Sequence, residues 1–302
     1  MSSADKPAPA PPLAYGGQAV LEGVMMRGAS SCATAVRSPD GSIAFDVHTL
    51  DGAQRKKIGR LPFVRGLYVL VDTLNLGFRA LAFSARVQAG PELGTSDVPI
   101  AGSMALAVLA GLGLFFLLPA GAAYLVEVVF GLPAAWGTIL EGLMRLALLL
   151  GYIGSIGRIP EIARVYAYHG AEHKTIHAFE AQRPLTIAEI APFPREHPRC
   201  GTAFLLTLVV LSVIVFSLIG PMPLGLRLLS RVVLIPVLAS LAYEYIRWTA
   251  RVGERPWARL LVLPNLALQR LTTREPDGAM IEVAIAAFEA MRKAEGTVQP
   301  TA

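Results

Sequence analysis

The sequence predicts a mainly α-helical membrane protein with four transmembrane helices, an interfacial helix and a small N-terminal β-hairpin unit on the cytoplasmic side. Three observations carry this. The 302 residues are 54% hydrophobic and only 16% charged, with a mean hydropathy of +0.52, too apolar for an ordinary soluble domain. Apolar segments at 100–130, 135–156, 203–220 and 226–248 each approach or exceed the roughly 20 residues that cross a bilayer. Lys and Arg are also distributed one-sidedly about them. The link around Gly131-Leu132-Pro133 carries none, whereas Arg158, Arg164, Lys174, Arg183, Arg195 and Arg199 crowd the connection between the second and third segments. That connection is therefore expected in the cytoplasm, together with both termini.

Residues 1–14, rich in Pro and Ala and lacking the apolar run of a signal peptide, are expected to be a retained flexible tail. Residues 15–60 form the next unit. It begins with GGQAVLEGVMMRG, whose glycines imply tight turns and close backbone approach, either to a ligand or simply to a packed neighbour. Glu22 and Arg27 are its charged residues and candidates for the rim of an active site. Two β-prone runs at 32–36 and 42–48, separated by Ser38-Pro39-Asp40-Gly41, predict a hairpin. His48 on that hairpin stands alone and is given no role.

Residues 61–99 are read as an interfacial helix and linker. Pro62 suits a first helical position, and Arg65, Asp72, Arg79 and Arg86 recur every seventh residue, a narrow polar stripe on an apolar helix. The rival reading, a spanning helix at 63–86, would strand Arg55, Lys56 and Lys57 outside the cell. Residues 100–157 hold the first two spans, with Glu141 and Arg145 four apart and able to pair within one helix. Residues 203–248 hold the other two, and 249–302 form a cytoplasmic segment. Near the end of the last span Glu244, Arg247 and Arg251 share a face, either as structural pairs or with Glu244 free to serve a site nearby. The closing helix, apolar at Ile281, Ala284, Ile285 and Phe288, is expected to pack on the cytoplasmic unit.

The chemistry concentrates in the cytoplasmic loop at 158–202. Three of five histidines, His169, His173 and His177, recur every fourth residue, so a helix stacks them on one face with a drift of about 40° per step. Residues 169–173 also spell H-x-x-E-H, the order in which two histidines bind zinc and a glutamate, here Glu172, acts as base. Downstream, Glu196-His197-Pro198-Arg199-Cys200-Gly201 places an imidazole and a thiol three residues apart. His169, His173, His197 and Cys200 together make a four-ligand set for a divalent metal, zinc by donor type. His177 is the spare, and a distant glutamate ligand has to come from Glu180, Glu244 or Glu22. The competing reading is a basic helix that holds lipid headgroups. With only Cys32 and Cys200 present, no disulfide framework is expected, and both are read as reduced thiols.

GGQAVLEGVMMRG, PFVRGLYVLVDTLNLGFRALAFSA, YHGAEHKTI, HPRCGTAFL and LQRLTTREP together resemble the YqhQ family of bacterial membrane proteins, from Tyr15 to about Met291. The resemblance implies a multi-pass protein of the cytoplasmic membrane. The family is catalogued as a domain of unknown function, and its members are sometimes labelled predicted metal-dependent enzymes, with no reaction attached.

Two functions follow. One is a metal-dependent, hydrolytic enzyme acting at the cytoplasmic face on a substrate presented by membrane lipids. The other is a non-enzymatic scaffold or assembly factor with a closed structural metal site, or none. A transporter is disfavoured because mid-span charge is limited to the expected Glu141–Arg145 pair. The net charge of +5 fits anionic lipid contact, and no nucleic-acid signature accompanies it.

Overall fold

The computed structural model describes residues 15–50, 58–59, 61–90, 98–220, 222–252 and 255–296. The tail at 1–14, the basic cluster at 55–57 and 60, and the linker at 91–97 lie outside them.

The N-terminal unit is larger than one hairpin. It is a four-stranded antiparallel meander of β1 (Gly16–Val20), β2 (Gly23–Arg27), β3 (Ser31–Arg37) and β4 (Ile43–Thr49). The expected hairpin is β3–β4, with Arg37 opposite Ile43, and the glycine-rich motif forms the other two strands, with Val20 opposite Gly23. Alternate residues face opposite sides, and both sides are covered. Val20, Met25, Cys32 and Val36 pack on Leu76 and Ala80 of helix α1 (Val64–Ala89). Val24, Met26, Ala33 and Ala35 pack on α5 (Pro160–Glu180) and α11 (Gly278–Ala294). A strand buried on both faces reads as an apolar run without alternation, so GVMMR carries no period-two signal. The stripe expected on the closing helix is its packing face, where Ile281, Ala284 and Phe288 are buried.

Between β1 and β2 the chain turns at Leu21-Glu22, and Glu22 sits at φ 51°. That conformation costs a non-glycine residue roughly 1–2 kcal/mol. It is held from outside, because Arg164 of α5 bonds both Glu22 carboxylate oxygens at 2.5 Å and the Tyr168 hydroxyl donates to the same group at 3.3 Å.

The apolar segments are helical. Helix α2 (Val98–Leu112) continues through a π-helical turn (Gly113–Leu117) into α3 (Leu118–Phe130), and α4 is Ala134–Ile156. After the short α6 (Ile187–Ile190) come α7 (Thr202–Ile219), α8 (Leu224–Val233), α9 (Ile235–Val252) and α10 (Pro256–Thr272). Among the described residues, four helices are long and apolar enough to cross a membrane, Val64–Ala89, Ala105–Phe130, Ala134–Ile156 and Thr202–Ile219. The segment expected as a fourth straight span, 226–248, is instead bent by 46° between α8 and α9. Pro236 accounts for the break, since it has no N–H to donate to the preceding turn and its ring crowds that carbonyl.

The expected Glu141–Arg145 pair is the centre of a wider network. Arg145 donates to Glu141 at 2.7 Å, to Ser212 at 2.6 Å and, through Nε, to the Phe115 carbonyl in the π-turn at 2.8 Å. From α8, Arg231 reaches both Glu141 oxygens at 2.9 and 2.7 Å, and Arg227 bridges Glu141 and Glu127. Each of these groups is satisfied by the others, which is what burial of charge demands. Glu244 is likewise engaged, paired with Arg65 of α1 at 2.6 Å, and takes no part in a site near the histidines.

Candidate metal centre

Helix α5 starts with Pro160 at its first turn, the position where a missing N–H costs nothing. Over its second half, from Ala167 to Ala178, it is almost entirely buried. Two close approaches set its place. A Cβ on Gly170 would lie 2.2 Å from the Arg274 carbonyl, so the segment after α10 can run against the helix only here. A Cβ on Gly17 would lie 2.4 Å from the Met25 carbonyl and 2.9 Å from the Glu172 carboxyl carbon, which lets β1 press against the acid. The glycine-rich motif therefore does fold against the histidine helix.

His169 and His173 are held alike. Nδ1 of His169 donates to the Thr272 carbonyl at 2.9 Å, and Nδ1 of His173 to the Arg195 carbonyl at 2.6 Å. A carbonyl can only accept, so each ring carries its proton on Nδ1 and presents a lone pair at Nε2. Both rings meet the Cys200 thiol, with Nε2 of His169 3.2 Å from Sγ. His169, His173 and Cys200 offer three ligand atoms within 4.8 Å of one another. Imidazoles that give one N–H to a carbonyl and aim the other nitrogen at a shared point are arranged as metal ligands are.

The electrostatics match. Burial works to raise the Cys200 thiol, but its contacts with the His173 imidazole and with Thr202 outweigh it and hold the thiol below its ordinary value. Burial also depresses His173 despite its contact with the thiol, which favours the neutral imidazole that a metal would require.

Glu172, one residue on, is 4% exposed, and its Oε2 has no hydrogen-bond partner. Burial pushes its carboxyl up to about 8, with the Cys200 charge adding to the rise and His169 opposing it. No Lys or Arg among the described residues pairs with it. An orphaned acid oxygen beside three converging soft and borderline donors is the environment a divalent cation would satisfy, so the donor set fits zinc. A cavity of about 210 Å3 opens here, lined by Glu172, His173 and Cys200 together with Gly17, Arg27 and Arg199.

The remaining expected residues are distributed differently. Arg27 lines the cavity, tied to Asp72 at 2.5 Å and to the Thr73 hydroxyl at 2.9 Å. Glu22 does not line it, being occupied with Arg164 and Tyr168. His197 also reaches the cavity, yet it groups with His177 and Glu180 rather than with His169, His173 and Cys200. Sequence reasoning passed over Gln269, Thr272 and Arg195, which hold the histidines from behind. Two of these act through backbone carbonyls, which no residue type signals. Gln269 lies in LQRLTTREP, one of the stretches that carry the family resemblance, and that was the one available sign.

The fold and site together define a mostly helical protein with membrane-length apolar helices, an N-terminal antiparallel sheet and a buried His/Cys constellation between them. The chain belongs to the family described as "Protein of unknown function (DUF1385)", whose model matches residues 61–294. It is 37% identical over 301 residues, covering 94% of each chain, to the "Uncharacterized protein YqhQ" of Bacillus subtilis (strain 168). No solved structure matches.

Proposed function

We propose that the chain is a metal-dependent, hydrolytic enzyme of the cytoplasmic membrane face, acting on a substrate presented at the lipid surface. The observation that carries this is the convergence of the His169, His173 and Cys200 donors beside the unpartnered Glu172 oxygen at a cavity. A zinc-like ion held by such donors supplies Lewis acidity and lowers the pKa of water near neutrality. Glu172, with its Oε2 unpartnered at the same cavity, is placed to take and return a proton there. Arg27 and Arg199 line the same cavity and give it positive charge that suits an anionic group on the substrate.

A scaffold with a structural metal requires four protein ligands closing the site, and a scaffold without metal is separated from the enzyme by metal content. His197 stands with another group, so the nearest three ligands leave a position open toward the cavity, which favours catalysis.

The membrane placement rests on the long apolar helices and the one-sided Lys and Arg. Helix α1 is read as interfacial rather than spanning. From Asp72 onward it packs along the sheet, through Arg27 to Asp72 and Thr73 and through Leu76 and Ala80. An open sheet cannot sit in hydrocarbon. The part of α1 before Asp72 is about 12 Å long at 1.5 Å per residue, well short of a bilayer core.

Elemental analysis of the purified protein tests the proposal. Stoichiometric metal in the wild type and its loss in His173→Ala, with membrane insertion preserved, is expected. Full metal content in His173→Ala, or metal-free protein from metal-replete cells, overturns it.

A further inference from the structure

We infer that the histidine helix carries a second divalent-metal site, built from His177, Glu180 and His197, directly in line with the first. The inference deepens the proposed function, making the centre a two-metal one, but its ligands are its own.

The argument begins with spacing. Helix α5 offers four potential ligands on one face in two pairs, His169 with His173 and His177 with Glu180, at separations of four and three residues. The loop before α7 crosses this face in the opposite direction and offers two more, His197 and Cys200, three residues apart. Cys200 falls to the first helical pair and His197 to the second. Each pair on the helix thus receives one ligand from the loop. The ligand atoms of His177, Glu180 and His197 lie within 4.8 Å of one another, as those of the first group do.

Orientation supports the same reading. Nε2 of His177 donates to the Glu196 carbonyl at 2.8 Å, which leaves Nδ1 as its free lone pair. All three histidines of the helix therefore spend one N–H on a backbone carbonyl and keep the other nitrogen for a ligand. His197 is 3% exposed, and its ring centroid is 4.5 Å from that of His177 and 5.7 Å from that of His173, so it stands between the two groups. Glu180 divides its oxygens. Oε1 is engaged by the Arg199 guanidinium, which orients the carboxylate, while Oε2 faces His197 Nε2 at 3.4 Å. That is long for a hydrogen bond. It is the separation of two donors that each sit about 2.0–2.1 Å from one tetrahedral ion, roughly 3.4 Å.

The two sites differ in readiness. The Arg199 amide donates to His197 Nδ1 at 3.3 Å, which puts the ring proton on Nε2, facing Glu180. Binding through Nε2 shifts that proton to Nδ1 and gives up the amide contact. Glu180 is also partly exposed, at 30%. The second site is therefore the weaker, and it fills after the first.

Cobalt(II) separates the sites, because only the first contains a thiolate. The full-length protein in detergent, stripped with chelator, is titrated with Co2+ while bound metal and the near-ultraviolet thiolate-to-cobalt absorption are followed. The thiolate band is expected to saturate with about one equivalent and binding to continue to about two, since each donor set takes one ion. In Glu180→Gln, binding stops at about one equivalent with the thiolate band intact, which also shows that the fold around Cys200 survives. If that variant loses the band as well, His177→Gln is required to show the same one-ion ceiling. A wild type that stops at one ion with the thiolate band present, or a Glu180→Gln or His177→Gln variant that still binds two, overturns the second site and leaves the first standing. One ion without a thiolate band, lost in Glu180→Gln, supports the second site and overturns the first.

Discussion

The Gln269 carboxamide grips the His197 backbone from both sides, accepting its N–H at 2.7 Å and donating to its carbonyl at 2.9 Å. Gln269 is fully buried, and it is the point at which α10 holds the loop that carries His197 and Cys200. Three residues on, the Thr272 carbonyl orients His169. One helix therefore aligns candidate ligands from both sides of the proposed centre without contributing one itself.

Replacing Gln269 by Leu removes both bonds and leaves two backbone groups of His197 unsatisfied. Metal affinity, measured by competition with a chromogenic chelator, is expected to fall by about 10–100-fold, the usual effect of losing an outer partner. Metal content unchanged under limiting metal would show that the loop holds its shape unaided.

Gly170→Ala places a methyl group against the Arg274 carbonyl, 2.2 Å from its Cβ, and backbone cannot step aside as a flexible side chain can. A loss of about 1–3 kcal/mol in unfolding free energy is expected, together with weakened metal binding as the Thr272 carbonyl shifts. A thermal melt in detergent checks the first and metal content the second. Gly151→Ala, where nothing lies within 4 Å, is the control.

The hydrogen bonds from Arg164 hold the Glu22 carboxyl below its ordinary value of 4.5, against the opposing effect of burial. A depressed acid stabilises the fold above that value and loses its contribution as pH falls through the lower, folded one. Glu22→Gln is thus expected to destabilise at pH 7 and to converge with the wild type toward pH 3. Arg164 is 51% exposed, so solvent screening keeps the effect to about 1 kcal/mol. Denaturation midpoints at the two pH values decide it, and a gap that persists at low pH would assign the loss to turn strain alone.

Both termini and the 158–202 connection are expected inside the cell, with Leu132 outside. A cysteine introduced at Leu132 should react with an impermeant maleimide in intact cells, and one at Gln182 only after lysis. The native Cys32 and Cys200 are buried and contribute little background. Labelling at Gln182 from outside reverses the arrangement.

Much of this was legible in the residues themselves. Length and hydropathy at 100–130, 135–156 and 203–220 specify helices, because a run of about 20 apolar residues has few other ways to satisfy its backbone. The His169, His173, His177 ladder follows from a 3.6-residue period. Other features depend on neighbours distant in sequence. Strands β1 and β2 have no alternating pattern because α1 covers one face while α5 and α11 cover the other. Whether Glu22 serves the cavity or the fold turns on Arg164, 142 residues away. The division of His197 from Cys200 depends on the direction in which their loop crosses α5. Their spacing by itself allows a single four-ligand site, whereas the antiparallel crossing, held by Gln269, brings one candidate ligand to each helical pair. Local periodicity determined which residue types lie on one face, and long-range packing decided which of them meet.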